Sequence, residues 1–120
     1  MVVGIDALES SRMEHLLTTT RFLEKYFTEY EQTYAKQTVQ FATRLAGLYC
    51  AKEAFLKALH LGIGGGVGLK EVEVKHNPDG SPYYHLTGQA KAEFAKLKLT
   101  QISLSITHTD SLSMAICICS

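Results

Sequence analysis

Apolar and polar positions along the chain follow two periods, one typical of strands and one typical of helices. The longest helical pattern runs from Thr38 to about Leu59, where large apolar side chains recur at helical spacing. The members of this stripe are Phe41, Leu45, Leu48, Phe55 and Leu59. Alanines fill much of the remaining segment, so we predict one long helix that packs closely against its neighbours.

Shorter patterns surround this helix. Val2 to Leu8 is apolar and partly β-branched, which predicts a strand. Thr28 and Glu31 have the spacing of a capping box, so a helix is predicted from there to about Lys36. The other predicted elements are helices at 11–17 and 88–97, a short helix or turn at 21–27, and strands at 69–76, 82–86, 102–107 and 112–118. This order predicts an α+β fold with a single domain over residues 1–120.

Composition and charge narrow the classes of function. Twelve basic and twelve acidic residues give a formal net charge of zero, which argues against a general nucleic-acid binder. No apolar run approaches the roughly 20 residues that span a bilayer, and no signal peptide is visible. We therefore expect a soluble cytoplasmic protein without a membrane partner. Three cysteines in no regular framework do not indicate a disulfide-stapled domain.

The glycine-rich segment 62–68 is one candidate site, because glycine loops often bind phosphates. It matches neither the dinucleotide-binding pattern nor the P-loop. It also follows a helix, whereas both of those motifs precede one. On local grounds we interpret it as a flexible helix exit.

Acidic residues offer a second candidate site. Asp6 and Glu9 are three residues apart and share a face if the strand turns directly into a helix. Ligation by oxygen alone suits Mg2+, but ordinary acids at a helix N-terminus would explain the same pair. Glu53 and Lys57 likewise admit two interpretations, a surface ion pair or a metal ligand beside a phosphate contact. The residues alone leave these alternatives open.

His108 ends a predicted strand and opens a turn, a position typical of a site residue. A turn histidine with its ring in solvent is the alternative. No nucleophile-elbow pattern surrounds Ser105, which argues against a serine hydrolase.

Four blocks of the sequence together resemble the bacterial holo-acyl-carrier-protein synthases. The blocks are Gly4-Ile5-Asp6 with Glu9 and Arg12; Phe27-Thr28 followed by Glu31; Leu45-Ala46-Gly47 with Ala51-Lys52-Glu53-Ala54-Phe55 and Lys57-Ala58, then the glycine-rich exit and Glu71-Val72-Glu73-Val74; and Ser103 to Thr109. The blocks occur in the family's order, and the likeness covers nearly the whole chain. Its specific part is the lysine-glutamate-alanine helix combined with the early aspartate and the late histidine.

The resemblance implies a fold, an assembly and a reaction. The fold is α+β, with antiparallel strands and one long central helix, usually assembled as a homotrimer with active sites between subunits. The reaction is the Mg2+-dependent transfer of 4′-phosphopantetheine from coenzyme A to a serine of an acyl-carrier protein. Adenosine 3′,5′-bisphosphate is the other product. The resemblance places Asp6 and Glu53 as metal ligands and Lys57 as a further catalytic residue that adds positive charge.

The same resemblance implies contacts to both substrates. The residues expected at coenzyme A are Lys52, Gly62, Gly64 and Gly65, with Thr107, His108 and Thr109 at its nucleotide end. Arg12, Arg21 and Lys25 are expected to contact the acidic carrier protein, since basic groups would steer its association. A solvated charged face is the alternative there, because glutamates are interspersed with these residues.

The chain departs from the family pattern at two places. It has Leu48-Tyr49 where the family usually has Arg-Phe, and His60-Leu61-Gly62 where the family usually has Gly-Thr-Gly. A leucine cannot supply the fixed hydrogen-bond donors of an arginine. Two rival hypotheses therefore stand beside the transferase, a non-catalytic trimer that binds coenzyme A or a nucleotide, and a structural or interaction domain.

Overall fold

A computed structural model describes residues 1–62 and 65–120 of the chain. The strands are β1 Val2–Glu9, β2 Val72–His76, β3 Pro82–Leu86, β4 Ile102–His108 and β5 Leu112–Cys119. The α-helices are α1 Ser10–Leu16, α2 Phe22–Tyr26, α3 Glu29–Lys36, α4 Phe41–Ala58 and α5 Gly88–Lys96. The predicted α+β fold is confirmed. The long helix begins at Phe41 rather than Thr38, and a 3-10 turn at Leu69–Glu71 precedes β2 where a longer strand was predicted.

The central layer is an antiparallel sheet in the order β1-β5-β4. Helix α4 packs across one face of this sheet and contacts all three strands. Strands β2 and β3 form a separate antiparallel hairpin that also contacts α4 and β4. Strand β3 packs beside β4 and also contacts α4, since the hydroxyl of Tyr84 donates to the carbonyl oxygen of Ala51 at 2.6 Å.

The core surrounds α4. Leu45, Leu48 and Phe55 of the predicted stripe are buried in it, as are Cys117 and Cys119 on one face of β5. The two cysteines share this face because they are two residues apart in a strand, as the sequence predicts. None of the helices in the described ranges is long and apolar enough to cross a membrane.

Gly4 explains how closely β1 approaches α4. A Cβ atom at this position would overlap the carbonyl oxygen of Ala54 and collide with the backbone nitrogen of Ala58. Any larger residue would push the strand away from the helix. The close contact sets Asp6, two residues later on the same face of β1, against the last turns of α4.

The C-terminus of α4 ends in a Schellman motif with a histidine at its left-handed position. Leu61 N–H donates to Leu56 O at 2.8 Å, and His60 N–H donates to Lys57 O at 3.1 Å. His60 has a φ of 57°, in the region where glycine is usual after a helix. The position at which the family usually has glycine is thus one where an L-residue is strained.

Candidate active site

Asp6, Glu53 and Lys57 meet where β1 crosses the end of α4. The Lys57 ammonium donates to a carboxylate oxygen of Asp6 at 2.9 Å and to the carbonyl oxygen of Ile5 at 3.2 Å. The hydrogen bond that Lys57 donates to Asp6 raises the pKa of Lys57, so the amine stays protonated at neutral pH. The structure thus pairs Lys57 with Asp6 rather than with Glu53, the partner that helical spacing favours.

Glu53 lies beside this pair with an unsatisfied carboxylate. Its Oε1 is buried and lacks a hydrogen-bond partner among the described residues. Burial, followed by the negative charge of Asp6, raises the pKa of Glu53. A buried carboxylate oxygen without a partner is costly unless a ligand or ion satisfies it.

These features fit a hard divalent cation. Two carboxylates and one lysine leave an excess of negative charge at the site, and one carboxylate oxygen is free to coordinate. The described residues contain no cluster of three acidic, histidine or cysteine side chains able to hold a metal by itself. Mg2+ is commonly held by one or two carboxylates, with waters and substrate phosphates as its other ligands.

The nearby thiol of Cys50 is not set up as a nucleophile. It is fully buried and donates to the carbonyl oxygen of Ser113 at 3.6 Å. Burial, together with the charge of Asp6, raises its pKa to about 12. The thiolate, which is the reactive form, is therefore suppressed at neutral pH.

Glu9 does not share the face of Asp6, which corrects one expectation from the sequence. Strand β1 continues through Glu9, and helix α1 begins only at Ser10. Residues three apart in a strand point to opposite faces, so Glu9 is exposed on the outer side while Asp6 faces α4.

Lys52, expected at coenzyme A, lies in the core instead. Its ammonium bonds a Glu31 carboxylate oxygen at 2.7 Å and the carbonyl oxygens of Leu69 and Val72 at 2.9 and 3.2 Å. Both charged side chains are 0% exposed. The three donors of the ammonium are matched by three acceptors, so this geometry does not support the predicted contact with the coenzyme. The position was visible in the sequence, because Lys52 lies between Leu48 and Phe55 on the apolar stripe.

The Thr107-His108-Thr109 block is divided by the structure. His108 lines a cleft of about 220 Å³ between α4, the β2–β3 hairpin and β4. Thr107 lies on the opposite, outer face of the sheet, because neighbours in a strand alternate. The hydroxyl oxygen of Thr109 accepts hydrogen bonds from the backbone N–H groups of Ser111 and Leu112 in the turn. Only His108 of the three therefore faces the cleft.

Arg44, the cationic residue of this cleft, was not among the site residues predicted from the sequence. It lines the cleft with His108, and its Nη1 donates to the carbonyl oxygen of Tyr34 at 2.9 Å. Leu48, at the place of the family's usual arginine, forms part of the wall and is 2% exposed. An arginine one helical turn before Leu48 was the signal in the sequence.

The glycine-rich exit is described only in part. Gly64 lies outside the described residues. Gly62 O accepts a hydrogen bond from Gly65 N–H at 3.0 Å. Coenzyme contacts by these glycines stay predictions.

Two of the three basic residues expected at the carrier protein share a groove. Arg21 and Lys25 line it with Lys70, which the sequence did not single out, and with Glu24. Arg12 is exposed on α1, outside this groove. The structure therefore gathers a basic patch around α2 but does not include every predicted member.

Comparison with known proteins places this geometry in a family. The model of the 4′-phosphopantetheinyl transferase superfamily matches residues 2–117. The holo-[acyl-carrier-protein] synthases of Syntrophus aciditrophicus and Caldanaerobacter subterraneus are 36% and 37% identical to the chain, cover 96% and 97% of it, and match over 91% of their own lengths. The crystal structure of the Helicobacter pylori holo-[acyl-carrier-protein] synthase in complex with coenzyme A superimposes with a TM-score of 0.85 at 26% identity, over 98% of this chain and 99% of that one. The chain thus belongs to the 4′-phosphopantetheinyl transferase superfamily, among its holo-acyl-carrier-protein synthases.

Proposed function

We propose that this protein transfers the 4′-phosphopantetheine group of coenzyme A to a serine of an apo-acyl-carrier protein. The observation that carries the proposal is the convergence of Asp6, Glu53 and Lys57 at the crossing of β1 and α4. These are the residues that match the family's catalytic positions, and they come together in a chain that belongs to that family.

The reaction exchanges one phosphorus–oxygen bond for another. The carrier serine oxygen attacks the phosphorus that bears pantetheine, and the bond from that phosphorus to the bridging oxygen of the pyrophosphate breaks. The serine proton is released to solvent, and adenosine 3′,5′-bisphosphate leaves with the bridging oxygen. We assign to the protonated Lys57 the stabilisation of the charge that develops on the phosphate oxygens.

We propose Asp6 and Glu53 as the ligands of a Mg2+ ion. The unpartnered Glu53 Oε1 and the excess of negative charge support this assignment. When bound, the ion would neutralise charge on the pyrophosphate of coenzyme A. In this arrangement the carboxylates would hold the ion, and Lys57 would contact the substrate phosphates directly.

The nucleotide end of coenzyme A is assigned to the cleft lined by Arg44 and His108. The cleft contains neither Asp6, Glu53 nor Lys57 among the described residues. Strand β5 separates β1 from β4, so the strands that carry Asp6 and His108 are about 10 Å apart. This separation supports an active site shared between subunits. The cleft of one subunit would bind the nucleotide, and the carboxylates of the next would lie at the pyrophosphate.

A homotrimer, the assembly implied by the family resemblance, would bring the two parts together. The outer face of the central sheet supports it, since Val3 and Ile5 are 57% and 53% exposed there, and apolar surface of this kind favours association. At a coenzyme A concentration well below the KM of Arg44→Gln, we expect a mixture of Asp6→Asn and Arg44→Gln proteins, unfolded and refolded together, to be more active than either variant alone. No gain in the mixture would favour a site within one subunit.

The acidic carrier protein is proposed to dock on the groove around Arg21, Lys25 and Lys70. Opposite charges would steer its approach, an effect that salt screens. Replacing Arg21 and Lys25 by glutamate should raise the KM for the carrier protein and leave the KM for coenzyme A unchanged. The exposed Lys91 on α5 provides a control for charge reversal elsewhere.

Location and other partners stay predictions. The formal net charge of zero supports the expectation that nucleic acid is not a partner.

Intact-mass spectrometry tests the proposed function directly. The protein is incubated with an apo-acyl-carrier protein, coenzyme A and Mg2+, with a chelator in a parallel sample. We expect the carrier to gain roughly 340 Da, the mass of one phosphopantetheinyl group, and to gain nothing when the metal is chelated. An unmodified carrier beside a folded protein would contradict the transferase assignment.

Leu48 favours one second candidate, a trimer that binds coenzyme A without transferring it. The leucine removes a guanidinium from the wall of the cleft. This candidate predicts a coenzyme A dissociation constant measurable by calorimetry, together with no change in carrier mass.

A further inference from the structure

The cleft assigned to the nucleotide carries a stack of planar groups that the catalytic scheme leaves unexplained. The guanidinium carbon of Arg44 lies 4.3 Å from the centre of the Tyr34 ring. On its other side, the Tyr34 ring stacks on the His76 ring, with 3.8 Å between centres and 14° between planes. The stack joins α4, α3 and β2, so three elements fix the position of one arginine.

Tyr30 in turn supports His76. The backbone N–H of His76 donates to the hydroxyl of Tyr30 at 3.1 Å, and the ring of Tyr30 lies 6.3 Å away at 20°. Tyr34 therefore has a firm support on one face and a cation on the other. Stacking of a guanidinium on an aromatic face is favourable.

The contact with Tyr34 also orients the guanidinium. Arg44 Nη1 donates to the backbone carbonyl of Tyr34 at 2.9 Å, which uses one of its five N–H donors. A planar group fixed by a stack and one hydrogen bond has lost most of its rotamer freedom before a ligand arrives. Its other donors can then meet a phosphate at little further entropic cost.

The charge of the cleft depends on this arginine. The described residues that line it include no carboxylate, and Arg44 is its one permanent cation. His76 stays neutral at pH 7, because burial and the charge of Arg44 lower its pKa. Leu48, which replaces the usual arginine nearby, adds no charge.

We propose that Tyr34 is a positioning residue for coenzyme A recognition, which acts by holding Arg44 where the guanidinium receives the 3′-phosphate of the nucleotide. The inference rests on the proposed function, because it takes the cleft as the nucleotide site. Tyr34 and Arg44 form a unit that selects coenzyme A over the same molecule without its 3′-phosphate. The unit lets this chain recognise the nucleotide with a leucine at position 48.

Steady-state kinetics with coenzyme A and dephospho-coenzyme A test this unit. For Arg44→Gln we expect the KM for coenzyme A to rise about tenfold or more, as for loss of a charge-assisted hydrogen bond. The KM for dephospho-coenzyme A should rise by a much smaller factor, so the preference for coenzyme A should fall. Tyr34→Leu should shift the same KM in the same direction by a smaller factor, and the double variant should match Arg44→Gln alone.

Two conservative variants separate positioning from general packing. Tyr34→Phe keeps both the ring and the backbone acceptor, so it should restore the wild-type preference for coenzyme A. Arg44→Lys keeps the charge but lacks the planar group that stacks on Tyr34, so part of the preference for coenzyme A should be lost. This second test remains valid if Tyr34→Leu does not fold. Tyr83→Leu, at an exposed tyrosine of β3, is the matched control.

The outcomes distinguish this inference from the proposed function. If the wild-type protein transfers nothing, the proposed function fails and this inference fails with it. If it transfers, and Arg44→Gln discriminates the two coenzymes like wild type, Arg44 does not bind the phosphate. If Arg44→Lys discriminates like wild type, stacking on Tyr34 does not position the cation. Additive effects of Tyr34→Leu and Arg44→Gln would show that Tyr34 acts independently, which would overturn its positioning role.

Discussion

Helix α4 carries two lysine–carboxylate pairs that differ in almost every physical respect. The Lys52–Glu31 pair is 0% exposed on both sides, whereas in the Lys57–Asp6 pair the lysine is 54% and the aspartate 18% exposed. In the buried pair, Glu31 also accepts the backbone N–H groups of Thr28 and Val74, so its charge is fully matched. Beside the open pair, Glu53 has a carboxylate oxygen with no hydrogen-bond partner in the described part of the chain.

The comparison shows how the same residue types can serve structure or chemistry. A buried pair whose donors and acceptors are all satisfied is rigid and has no unused group with which to bind a ligand. A half-open pair beside an unsatisfied carboxylate has both access and unused coordinating capacity. Sequence proximity to Glu53 therefore misleads for Lys52, since the two residues lie about 100° apart around the helix.

The largest expected effect comes from breaking the buried pair. Lys52→Ala should lower the free energy of unfolding by about 3–5 kcal/mol, because it leaves a buried Glu31 charge without its partner. Lys57→Ala should change it by less than about 1 kcal/mol, since the pair is partly exposed. Urea unfolding followed by circular dichroism measures both. A similar loss in the two variants would remove the distinction drawn here.

A double substitution makes the same test sharper. Replacing Lys52 by Met and Glu31 by Leu removes both charges from the core. This pair of changes should recover much of the stability lost in Lys52→Ala, because hydrophobic replacement of a whole buried pair is often close to neutral.

Next in size is the loss of activity when the open site is altered. Asp6→Asn and Glu53→Gln should each reduce transfer by at least about 100-fold, because each removes a proposed metal ligand. Circular dichroism should show both proteins folded. Glu9→Gln, three residues along β1 but on its other face, is the matched control and should retain activity. Substantial transfer by both Asp6→Asn and Glu53→Gln would contradict the metal assignment.

A smaller, stabilising effect is expected at the end of α4 that carries Lys57. His60→Gly should raise the free energy of unfolding by about 1 kcal/mol, because it relieves an L-residue with a φ of 57°. Gln37→Gly after α3, where φ is −75°, should instead be neutral or destabilising. Differential scanning fluorimetry compares the two. A lower melting temperature for His60→Gly would show that its side chain makes a contact worth more than the strain.

The smallest expected effect is on the pH dependence of folding stability, and it involves His76, which belongs to neither lysine–carboxylate pair. Burial, followed by the charge of Arg44, lowers the pKa of His76 in the folded protein. The unfolded chain therefore binds the proton first as pH falls through about 6.5. Folding stability should decrease from pH 7 toward pH 5, and the decrease should be smaller in His76→Gln. Parallel pH profiles for the two proteins would show that His76 does not contribute.

Much of the architecture was predictable because local patterns are strong in this chain. The helical stripe, the capping box of Thr28 and Glu31, and the strand at 82–86 all form as the sequence predicts. The start of α4 was harder to place, since nothing in the sequence marks Gln40 as its cap. The start of a helix can be predicted where the sequence contains a capping side chain. Where no such side chain is present, the first residue of the helix cannot be placed from the sequence.

The sequence by itself determined the α+β order of elements, the family, and the identity of Asp6, Glu53, Lys57 and His108 as candidates. Only the tertiary structure decided which of these side chains meet. It buried Lys52 against Glu31, turned Glu9 and Thr107 to the outer face of the sheet, and held Arg44 against Tyr34. The physical reason is that contacts between α4 and β1, α3 or β2 join residues far apart in the chain. Their partners are set by packing and strand register, which local periodicity does not encode.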